Sequence, residues 1–443
     1  MAVAGLAVTA VVRAGTPGPD GRLTLDVSAR VTVGGTRPVL PWPATGQAAV
    51  AVPALGFAAQ SGPEQPVPIA SLTKLTTAVV VLRDHPMPVG GPGPTITMTP
   101  ADVAAYDRDL AGDQSTVPVS VGERLTEWQL LEALLTQSAN NVAYALAVWD
   151  AGTQAAFVAK MNALASSLSM TGSHFVDASG VARGSVSTAA DTLKVAAAGM
   201  AIPAFRAVVA MPVVTLPLLG RAANLVPEVG TRVDGVPVVG VKSGFTAEAG
   251  GCLVLAARVA VGERTVTVLA AVLGQPYPAG VPFPALTPSG SSSPTTAGTG
   301  TGTSTGTGTT GGGSSTSPTA PLYIPDPLRD TRPVTDRLLA GAVKAVVPDT
   351  VLAGGLRVGT VRATWGGVSH AVAVVVSLPA QVAGWPGQVV DVTVEHERSI
   401  VRGRRGQTVG TATVRLGSET ATTPLRLAAT VPRPGWWWRA LHG

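Results

Sequence analysis

The chain has 443 residues, enough for roughly two or three domains with a sizeable hydrophobic core. Its formal net charge of +5 comes from scattered arginines, and no basic run is interleaved with aromatic residues, so the sequence shows no nucleic-acid-binding groove. The single cysteine, Cys252, excludes an internal disulfide, and because it sits in an apolar run we expect it to be a small core residue.

The first 45 residues predict no compact unit. Residues 2–12 are apolar, but this run is shorter than the roughly 20 residues of a membrane span and lacks the positive flank of a signal peptide. Two interpretations stay open: the remnant of an export or anchor segment, or a buried strand or helix. Residues 14–45 are rich in Gly, Pro and Thr and predict a linker, with one extended, partly exposed stretch at 23–33.

Residues 48–59 predict a buried strand, which is followed by a helix that starts at Ser71 and ends before Pro86. Pro68 favours extended backbone at Val67, as expected where a strand or loop leads into a helix. The apolar run after Lys74 predicts that this helix is buried.

The middle of the chain predicts a helical region followed by a sheet. The patterns favour a short strand at 95–99 and helices at 126–135, after 141, at 153–170 and at 187–200. Thr126 and either Ser187 or Thr188 are the expected N-caps of two of these helices. The Val/Ala/Leu runs at 236–241, 253–259 and 265–273 predict strands of a covered antiparallel sheet.

Residues 287–320 are Gly, Ser, Thr and Pro with almost nothing apolar, and therefore predict a flexible linker. A helix is expected at 333–347, and strands throughout 350–431. Two twelve-residue segments, 355–366 and 406–417, carry Gly, Val-Gly-Thr and Gly in the same register, and they predict related hairpin strands of a small β-sandwich. The three tryptophans near the C-terminus suit either a membrane interface or packing against the β domain.

Ser71 and Lys74 form a Ser-x-x-Lys pair, which a helix places on one face. Only five of the 31 basic residues are lysines, so lysine is expected where arginine cannot serve, and a general base must be able to lose its proton. A chance pair on a solvated helix face explains this motif equally well when it stands alone.

Two further motifs give Ser71 possible partners. Ser138-Ala-Asn140 lies between two predicted helices, where a loop can expose both side chains, and Lys242-Ser243-Gly244 ends a predicted strand. Each motif alone is a weak signal. Together, in this order and in these settings, they form the set found in penicillin-binding proteins and class A β-lactamases.

With these motifs the chain resembles the low-molecular-weight penicillin-binding proteins, the serine D-alanyl-D-alanine carboxypeptidases, over roughly residues 48–275. The segment 173–180, Ser-His-Phe-Val-Asp-Ala-Ser-Gly, also matches the family. The departures are Ser243, where threonine is usual, and Asn141, where aspartate is common. The linker also interrupts the catalytic region before its last helix.

The resemblance implies an α/β (α+β) penicillin-binding/β-lactamase-like transpeptidase fold, with an antiparallel sheet, a helical subdomain and a small C-terminal all-β domain. The expected domains are an N-terminal segment at 1–45, a catalytic domain at 46–348 interrupted at 287–320, a β-sandwich at 349–431 and a Trp-rich tail at 432–443.

The resemblance also implies a catalytic role for three residues. Ser71 Oγ attacks the carbonyl between two terminal D-alanines and forms an acyl-enzyme, Lys74 takes the serine proton, and Ser138 relays a proton to the leaving D-alanine. Burial and the nearby cation of Lys242 are expected to keep Lys74 neutral. No metal or cofactor is expected, since the five histidines show no ligand spacing.

The substrate-binding residues implied by the resemblance are Asn140, Lys242, Ser243, Gly244, Phe245 and Thr246. Asn140 is expected to bind the substrate backbone and to orient Lys74. Lys242 and Ser243 are expected to bind the terminal carboxylate, and Gly244 lets the substrate approach the strand. The N–H groups of Ser71 and Phe245 are expected to form the oxyanion hole.

Two alternatives remain. A class A β-lactamase needs a glutamate for deacylation, and the only glutamate between residues 141 and 241 is Glu228, close to Lys242. A wall-binding or sensing protein of low turnover would keep the same motifs. The expected partners are peptidoglycan stem peptides and β-lactams, with possible membrane-surface contact through the termini and no nucleic acid. The expected location is extracytoplasmic, in the cell envelope.

Overall fold

The computed structural model describes residues 20–262, 264–276, 328–365, 368–397, 400, 403–432 and 436. The apolar run at 2–12, the predicted linker at 287–320 and most of the Trp-rich tail lie outside these residues.

The described part contains eight α-helices. They are α1 Thr73–Asp84, α2 Pro100–Ala111, α3 Glu127–Thr136, α4 Asn140–Ala151, α5 Gln154–Ser167, α6 Ala189–Ala201, α7 Pro203–Val209 and α8 Thr331–Ala345. The strands are β1 Asp20–Leu25, β2 Arg30–Thr32, β3 Gln47–Val52, β4 Phe57–Ser61, β5 Val67–Pro68, β6 Thr95–Thr97, β7 Arg124–Thr126, β8 Val186–Ser187, β9 Val213–Leu216, β10 Gly220–Ala223, β11 Arg232–Val233, β12 Val236–Thr246, β13 Gly250–Val261, β14 Arg264–Gln275, β15 Val347–Leu352, β16 Arg357–Trp365, β17 Val368–Val376, β18 Ala380–Gly384, β19 Val389–His396, β20 Thr408–Leu416 and β21 Glu419–Leu427.

A six-stranded antiparallel sheet, in the order β11-β12-β13-β14-β3-β4, forms the centre of the catalytic region. The three strands predicted between 236 and 273 are confirmed. The single strand predicted at 48–59 is wrong, because a 3-10 turn at Pro53–Leu55 splits it into the hairpin of β3 and β4. Pro53 has no N–H for a strand ladder, and Gly56 follows the turn with φ 60°, which favours glycine.

The central sheet is buried on both faces, which explains why its strands are continuous apolar runs. Along β13, Cys252 and Val254 pack into the core that the sheet shares with helices α1 and α3–α7. Leu253 and Leu255 alternate with them and pack into a second core formed with α8 and the C-terminal strands. Cys252 is fully buried, as its apolar surroundings predicted.

Two helices of the helical subdomain, α2 and α7, were not predicted from the sequence. Helix α2 lies in a stretch rich in Pro and Gly, yet Thr99 and Asp102 form a reciprocal capping box around Pro100. Helix α7 is only seven residues long and begins at Pro203. The predicted caps of the other helices are confirmed. Thr126 caps α3 with Gln129 as its reciprocal partner, and Thr188 caps α6.

A second, seven-stranded sheet takes the order β1-β16-β17-β21-β20-β19-β2. Its two edge strands come from the N-terminal segment, so residues 20–32 are part of the C-terminal β region, and their assignment to a separate linker is wrong. Only residues 26–29 separate β1 from β2. A chain spans at most roughly 3.5 Å per residue, so these few residues cannot cross a wide, flat sheet. The sheet must therefore curl until its edges lie close together.

The internal repeat predicted in the C-terminal region is present in the structure. Strands β16 and β20 each open a hairpin, and each has a register shift just before the glycine of its Val-Gly-Thr segment, at Gly359 and Gly410. A Cβ atom at either glycine would lie 2.5 Å from a carbonyl oxygen of the paired strand, β1 for Gly359 and β19 for Gly410, so both positions require glycine.

Among the described residues, no single helix has both the length and the apolar character needed to cross a membrane. Helices α6 and α7 have the required length and apolar character only as a pair, and they meet at a bend of 106°.

Helix α3, which leads to Ser138, begins with a buried carboxyl group. Glu127 is fully buried, and neither of its side-chain oxygens has a hydrogen-bond partner among the described residues. Burial and, second, the nearby Asp150 raise the pKa of Glu127 to about 7. The folded protein therefore binds a proton that the unfolded chain releases at lower pH.

We expect Glu127→Gln to stabilise the protein above neutral pH. Below the unfolded pKa of about 4.3 the carboxyl is protonated in both states, so its ionisation costs nothing. As pH rises from about 4.3 to the folded pKa of about 7, the cost grows to at most about 4 kcal/mol, and the variant avoids it. The melting temperatures of variant and wild type should agree below about pH 4 and differ most above about pH 7. Glu64→Gln, at an exposed position, should show no divergence.

Candidate active site

Ser71 lies in a 3-10 turn, Ala70–Leu72, that leads directly into α1. Strand β5 delivers the chain to this turn and pairs with β8, as the Pro68 signal predicted. The α-helix begins two residues later than expected, at Thr73. The turn still carries Ser71 onto the face of Lys74, whose Nζ lies 2.9 Å from Ser71 Oγ.

Lys74 is completely buried, and its amino group has three hydrogen-bond partners. Besides Ser71 Oγ, Nζ lies 2.6 Å from Asn140 Oδ1. It also lies 2.7 Å from the main-chain carbonyl oxygen of Ser179. The contacts of Lys74 with Ser71 and Asn140 agree with the prediction from the sequence, but the contact with Ser179 was not predicted, because a backbone carbonyl has no signature in the residue type.

These contacts decide where a neutral Lys74 directs its lone pair. The Ser179 carbonyl and Asn140 Oδ1 can only accept hydrogen bonds, so they take the two N–H groups of a neutral amine. The remaining lone pair then faces Ser71 Oγ, whose proton it can accept. Asn140 is held in this orientation because its Nδ2 donates to Gln114 Oε1 at 3.1 Å.

The electrostatic surroundings favour this neutral amine. Burial lowers the pKa of Lys74 well below its ordinary value, and the positive charge of Lys242 lowers it further. Asp177 and Asp109 act in the opposite direction and raise it. Burial is the largest of these effects and the charge of Lys242 is the second, and both were expected from the sequence.

Ser138 and Asn140 lie where α3 gives way to α4. Ser138 adopts φ 60°, a left-handed conformation that is uncommon for a residue other than glycine. Both side chains are buried, with 3% and 2% of their surface exposed, so the expectation of an exposed loop is wrong. Asn140 is the first residue of α4, and its N–H donates to Ser115 O at 2.8 Å.

Asn141, the residue that departs from the family pattern, has a structural role. Its Oδ1 accepts from Val117 N and its Nδ2 donates to Val117 O. Only an amide can make both bonds, because an ionised carboxylate cannot donate. Asn141 therefore fixes the loop that follows α2 and carries Gln114.

The Lys-Ser-Gly motif lies on β12, which packs against the Ser71 turn. Lys242 is completely buried, its Nζ donates to Ser243 O at 2.8 Å, and burial lowers the pKa of Lys242 to about 7. Ser243 Oγ lies 3.4 Å from Leu225 O. A Cβ atom at Gly244 would lie 2.9 Å from the backbone nitrogen of Ser71. Glycine is thus required for the strand to approach the nucleophile.

We expect Gly244→Ala to impair acylation. The added methyl group would press on the backbone of Ser71 and Leu72, which cannot move as a flexible side chain could, so the strand and the turn must separate. A displacement approaching 1 Å lowers the rate about 100-fold. The rate of covalent labelling by penicillin measures this loss. Gly235→Ala is a control without steric conflict, although its positive φ strains any side chain.

Phe245 and Thr246 are half-buried at the end of β12. The Thr246 hydroxyl accepts from Ala249 N at 3.1 Å and so closes the turn to β13. Contact of either residue with substrate stays a prediction, as does the part of the Phe245 N–H in an oxyanion hole.

The Ser179 carbonyl is held in place by its own loop. The carboxylate of Asp177 accepts hydrogen bonds from five groups, namely the N–H groups of Ser179, Gly180 and Val181 and the hydroxyls of Ser179 and Ser185. At Gly180, with φ 85°, a Cβ atom would lie 1.9 Å from Ala70 O. The Asp-Ala-Ser-Gly sequence at 177–180 was therefore the available signal for this part of the site.

Within the described ranges, no three His, Cys, Asp or Glu side chains are grouped so that they could hold a metal ion. The site is instead built from hydroxyl, amine, amide and backbone groups.

The family model for D-alanyl-D-alanine carboxypeptidase matches residues 58–276. The chain is 32% identical over 216 residues to a D-alanyl-D-alanine carboxypeptidase of Streptomyces sp. (strain K15), which covers 45% of this chain and 72% of that protein. It is also 32% identical over 201 residues to a D-alanyl-D-alanine endopeptidase of Pseudomonas aeruginosa, covering 44% of this chain and 60% of that protein.

A solved structure, penicillin binding protein 5 from Haemophilus influenzae, shares the fold with a TM-score of 0.53 and 16% sequence identity. The match covers 90% of this chain and all of that one, and so confirms the transpeptidase-like fold with its C-terminal β region. Together with the Ser71–Lys74 site and the related sequences, this shows that the chain belongs to the D-alanyl-D-alanine carboxypeptidase family of serine peptidases.

Proposed function

We propose that the protein removes the terminal D-alanine from peptidoglycan stem pentapeptides through an acyl-enzyme on Ser71, and that β-lactams inhibit it by acylating the same atom. The observation that carries this proposal is the arrangement of Lys74. Its amine is buried, has a lowered pKa and directs its lone pair at Ser71 Oγ, which is the arrangement a serine nucleophile needs.

Acylation begins when Ser71 Oγ attacks the carbonyl carbon between the two D-alanines while Lys74 accepts the hydroxyl proton. The resulting ammonium keeps all three of its partners, because each can accept one of its N–H groups. The Lys74 ammonium then gives up a proton, which passes through Ser138 to the leaving amine, and the C–N bond breaks. Water, deprotonated by the same lysine, releases the acyl group and restores Ser71.

Lys242 and Ser243 supply the contacts for the terminal carboxylate. Lys242 has a pKa of about 7, so a substrate carboxylate placed beside it favours the charged ammonium and gains a charge-assisted hydrogen bond. This pairing explains why a free C-terminus is the expected substrate.

The two carboxylates that could serve in deacylation, Glu228 and Asp177, have other partners. Glu228 lies 3.5 Å from the guanidinium of Arg332 on α8. Asp177 accepts the five hydrogen bonds of its own loop. Neither carboxylate is arranged to activate a deacylating water, and the carboxypeptidase is therefore the preferred function.

Product analysis with a synthetic stem pentapeptide tests the proposal. We expect free D-alanine and a tetrapeptide, together with covalent labelling by fluorescent penicillin that the pentapeptide slows. Labelling without release of D-alanine would favour the low-turnover binding protein. A cross-linked peptide dimer is the second substrate to test, because relatives of equal identity are named endopeptidases.

The proposed substrate implies an extracytoplasmic location in the cell envelope. Cell fractionation with an antibody against the catalytic domain should find the protein in the envelope or the medium. Recovery only with cytosolic markers would contradict this location and leave the chemistry at Ser71 to be tested separately.

A further inference from the structure

Tyr144 lies one helical turn after Asn140 on α4, on the same face of the helix. Its hydroxyl is 2.9 Å from Ser179 Oγ, and the carbonyl of that same serine accepts the hydrogen bond from Lys74. Helix α4 therefore carries Asn140, one of the two acceptors that orient the lysine. Through Tyr144 it also contacts Ser179, the residue whose carbonyl is the other acceptor.

The direction of the Tyr144 hydrogen bond follows from counting protons. Ser179 Oγ has a single proton, and it donates this proton to Asp177 Oδ2 at 2.6 Å, because an ionised carboxylate can only accept. Ser179 Oγ must then be the acceptor in its contact with Tyr144, and the phenol is the donor. Burial raises the pKa of Tyr144 above its ordinary value, so the phenol keeps the proton it donates.

Tyr144 has two further contacts, and neither involves the Asp177 loop. The guanidinium carbon of Arg108 on α2 lies 5.4 Å from the ring centroid. The backbone carbonyl of Tyr144 accepts from Gln154 Nε2 at 2.7 Å. The phenol is thus carried by α4 and lies against α2, so the Tyr144–Ser179 bond joins these helices to the Asp177 loop.

We propose that Tyr144 is a positioning residue for acylation, whose hydrogen bond to Ser179 holds the Ser179 carbonyl against Lys74 so that the lysine lone pair faces Ser71. This role rests on the proposed function. Without the phenol hydroxyl, Ser179 keeps its bonds to Asp177 but loses its tie to the helix that carries Asn140. The two acceptors of Lys74 can then move relative to each other.

The rate of acylation by fluorescent penicillin, measured over a range of concentrations, separates the acylation step from binding. We expect Tyr144→Phe to lower the acylation rate constant about tenfold, which is a smaller loss than a full displacement of the lysine would cause. The apparent binding constant should change less than about twofold. Tyr106→Phe is the matched control, since the described part of the chain gives the Tyr106 hydroxyl no hydrogen-bond partner. It should behave as wild type.

A double-mutant cycle with Ser179→Ala shows whether the two hydroxyls act as one unit. Ser179→Ala removes the same hydrogen bond, together with the bond from Ser179 Oγ to Asp177, and keeps the backbone carbonyl. We therefore expect Tyr144→Phe to cause no further loss of acylation in the Ser179→Ala background. Independent losses that multiply, or a Tyr144→Phe acylation rate within about twofold of wild type, would overturn the role.

Melting temperatures distinguish positioning from general support of the fold. A lowered melting temperature with a normal acylation rate constant would also count against the proposal. If Tyr144→Phe does not fold, Ser179→Ala is compared with Ser185→Ala, which also removes a hydroxyl donor to Asp177 but keeps the contact between Tyr144 and Ser179. Slower acylation in Ser179→Ala than in Ser185→Ala supports the role, and equal acylation rejects it. A wild-type protein that is never acylated would contradict the proposed function itself, whereas an acylated wild type with an unaffected Tyr144→Phe contradicts only the role of Tyr144.

Discussion

Ser71→Ala is expected to abolish covalent labelling by penicillin and to lower turnover of the pentapeptide at least about a thousandfold. Ser71 Oγ is the only serine hydroxyl within hydrogen-bond distance of the Lys74 amine in the described part of the chain, so no neighbouring hydroxyl can replace it. The substitution removes one buried hydroxyl contact and adds no volume, so the melting temperature should change little.

Ser166→Ala, at an exposed position on α5, is a suitable control and should be labelled like wild type. Labelling of Ser71→Ala at the wild-type rate would show that another residue is the nucleophile. Mass spectrometry of the labelled peptide would then identify that residue directly.

Lys74→Arg is expected to reduce acylation by about the same factor, because it places a permanent positive charge where the reaction needs a neutral amine. Arginine cannot release its proton at any accessible pH, so no lone pair is available to accept the Ser71 proton. The guanidinium is also wider than an amine and does not fit a completely buried position with partners at 2.6 and 2.7 Å. Acylation rates measured from acidic to alkaline pH should show no recovery.

Lys160→Arg is the matched control for the same exchange. Lys160 forms ion pairs with Asp84 and Asp150, is partly exposed, and transfers no proton in the proposed mechanism. It should therefore keep near-wild-type acylation. If Lys74→Arg acylates at a comparable rate, the general base lies elsewhere and the orientation of the Lys74 lone pair has no part in the reaction.

The sequence alone determined the chemical groups of the site. Ser71, Lys74 and the Lys-Ser-Gly strand could be predicted because each role requires a particular side chain: a hydroxyl, an amine that can lose its proton, and a residue without Cβ. The strands β12–β14 could also be predicted, since burial on both faces leaves an uninterrupted apolar run. Local caps likewise fixed the starts of α3 and α6.

Only the tertiary structure decided how those groups are oriented. The lone pair of Lys74 is directed by a backbone carbonyl at Ser179, and every residue has such a carbonyl, so the residue type gives no sign of its use. The same holds for β1 and β2, whose partners lie more than 300 residues away along the chain. Local patterns indicate that a segment is extended or that a side chain is reactive. Which distant backbone it meets depends on how the whole core packs.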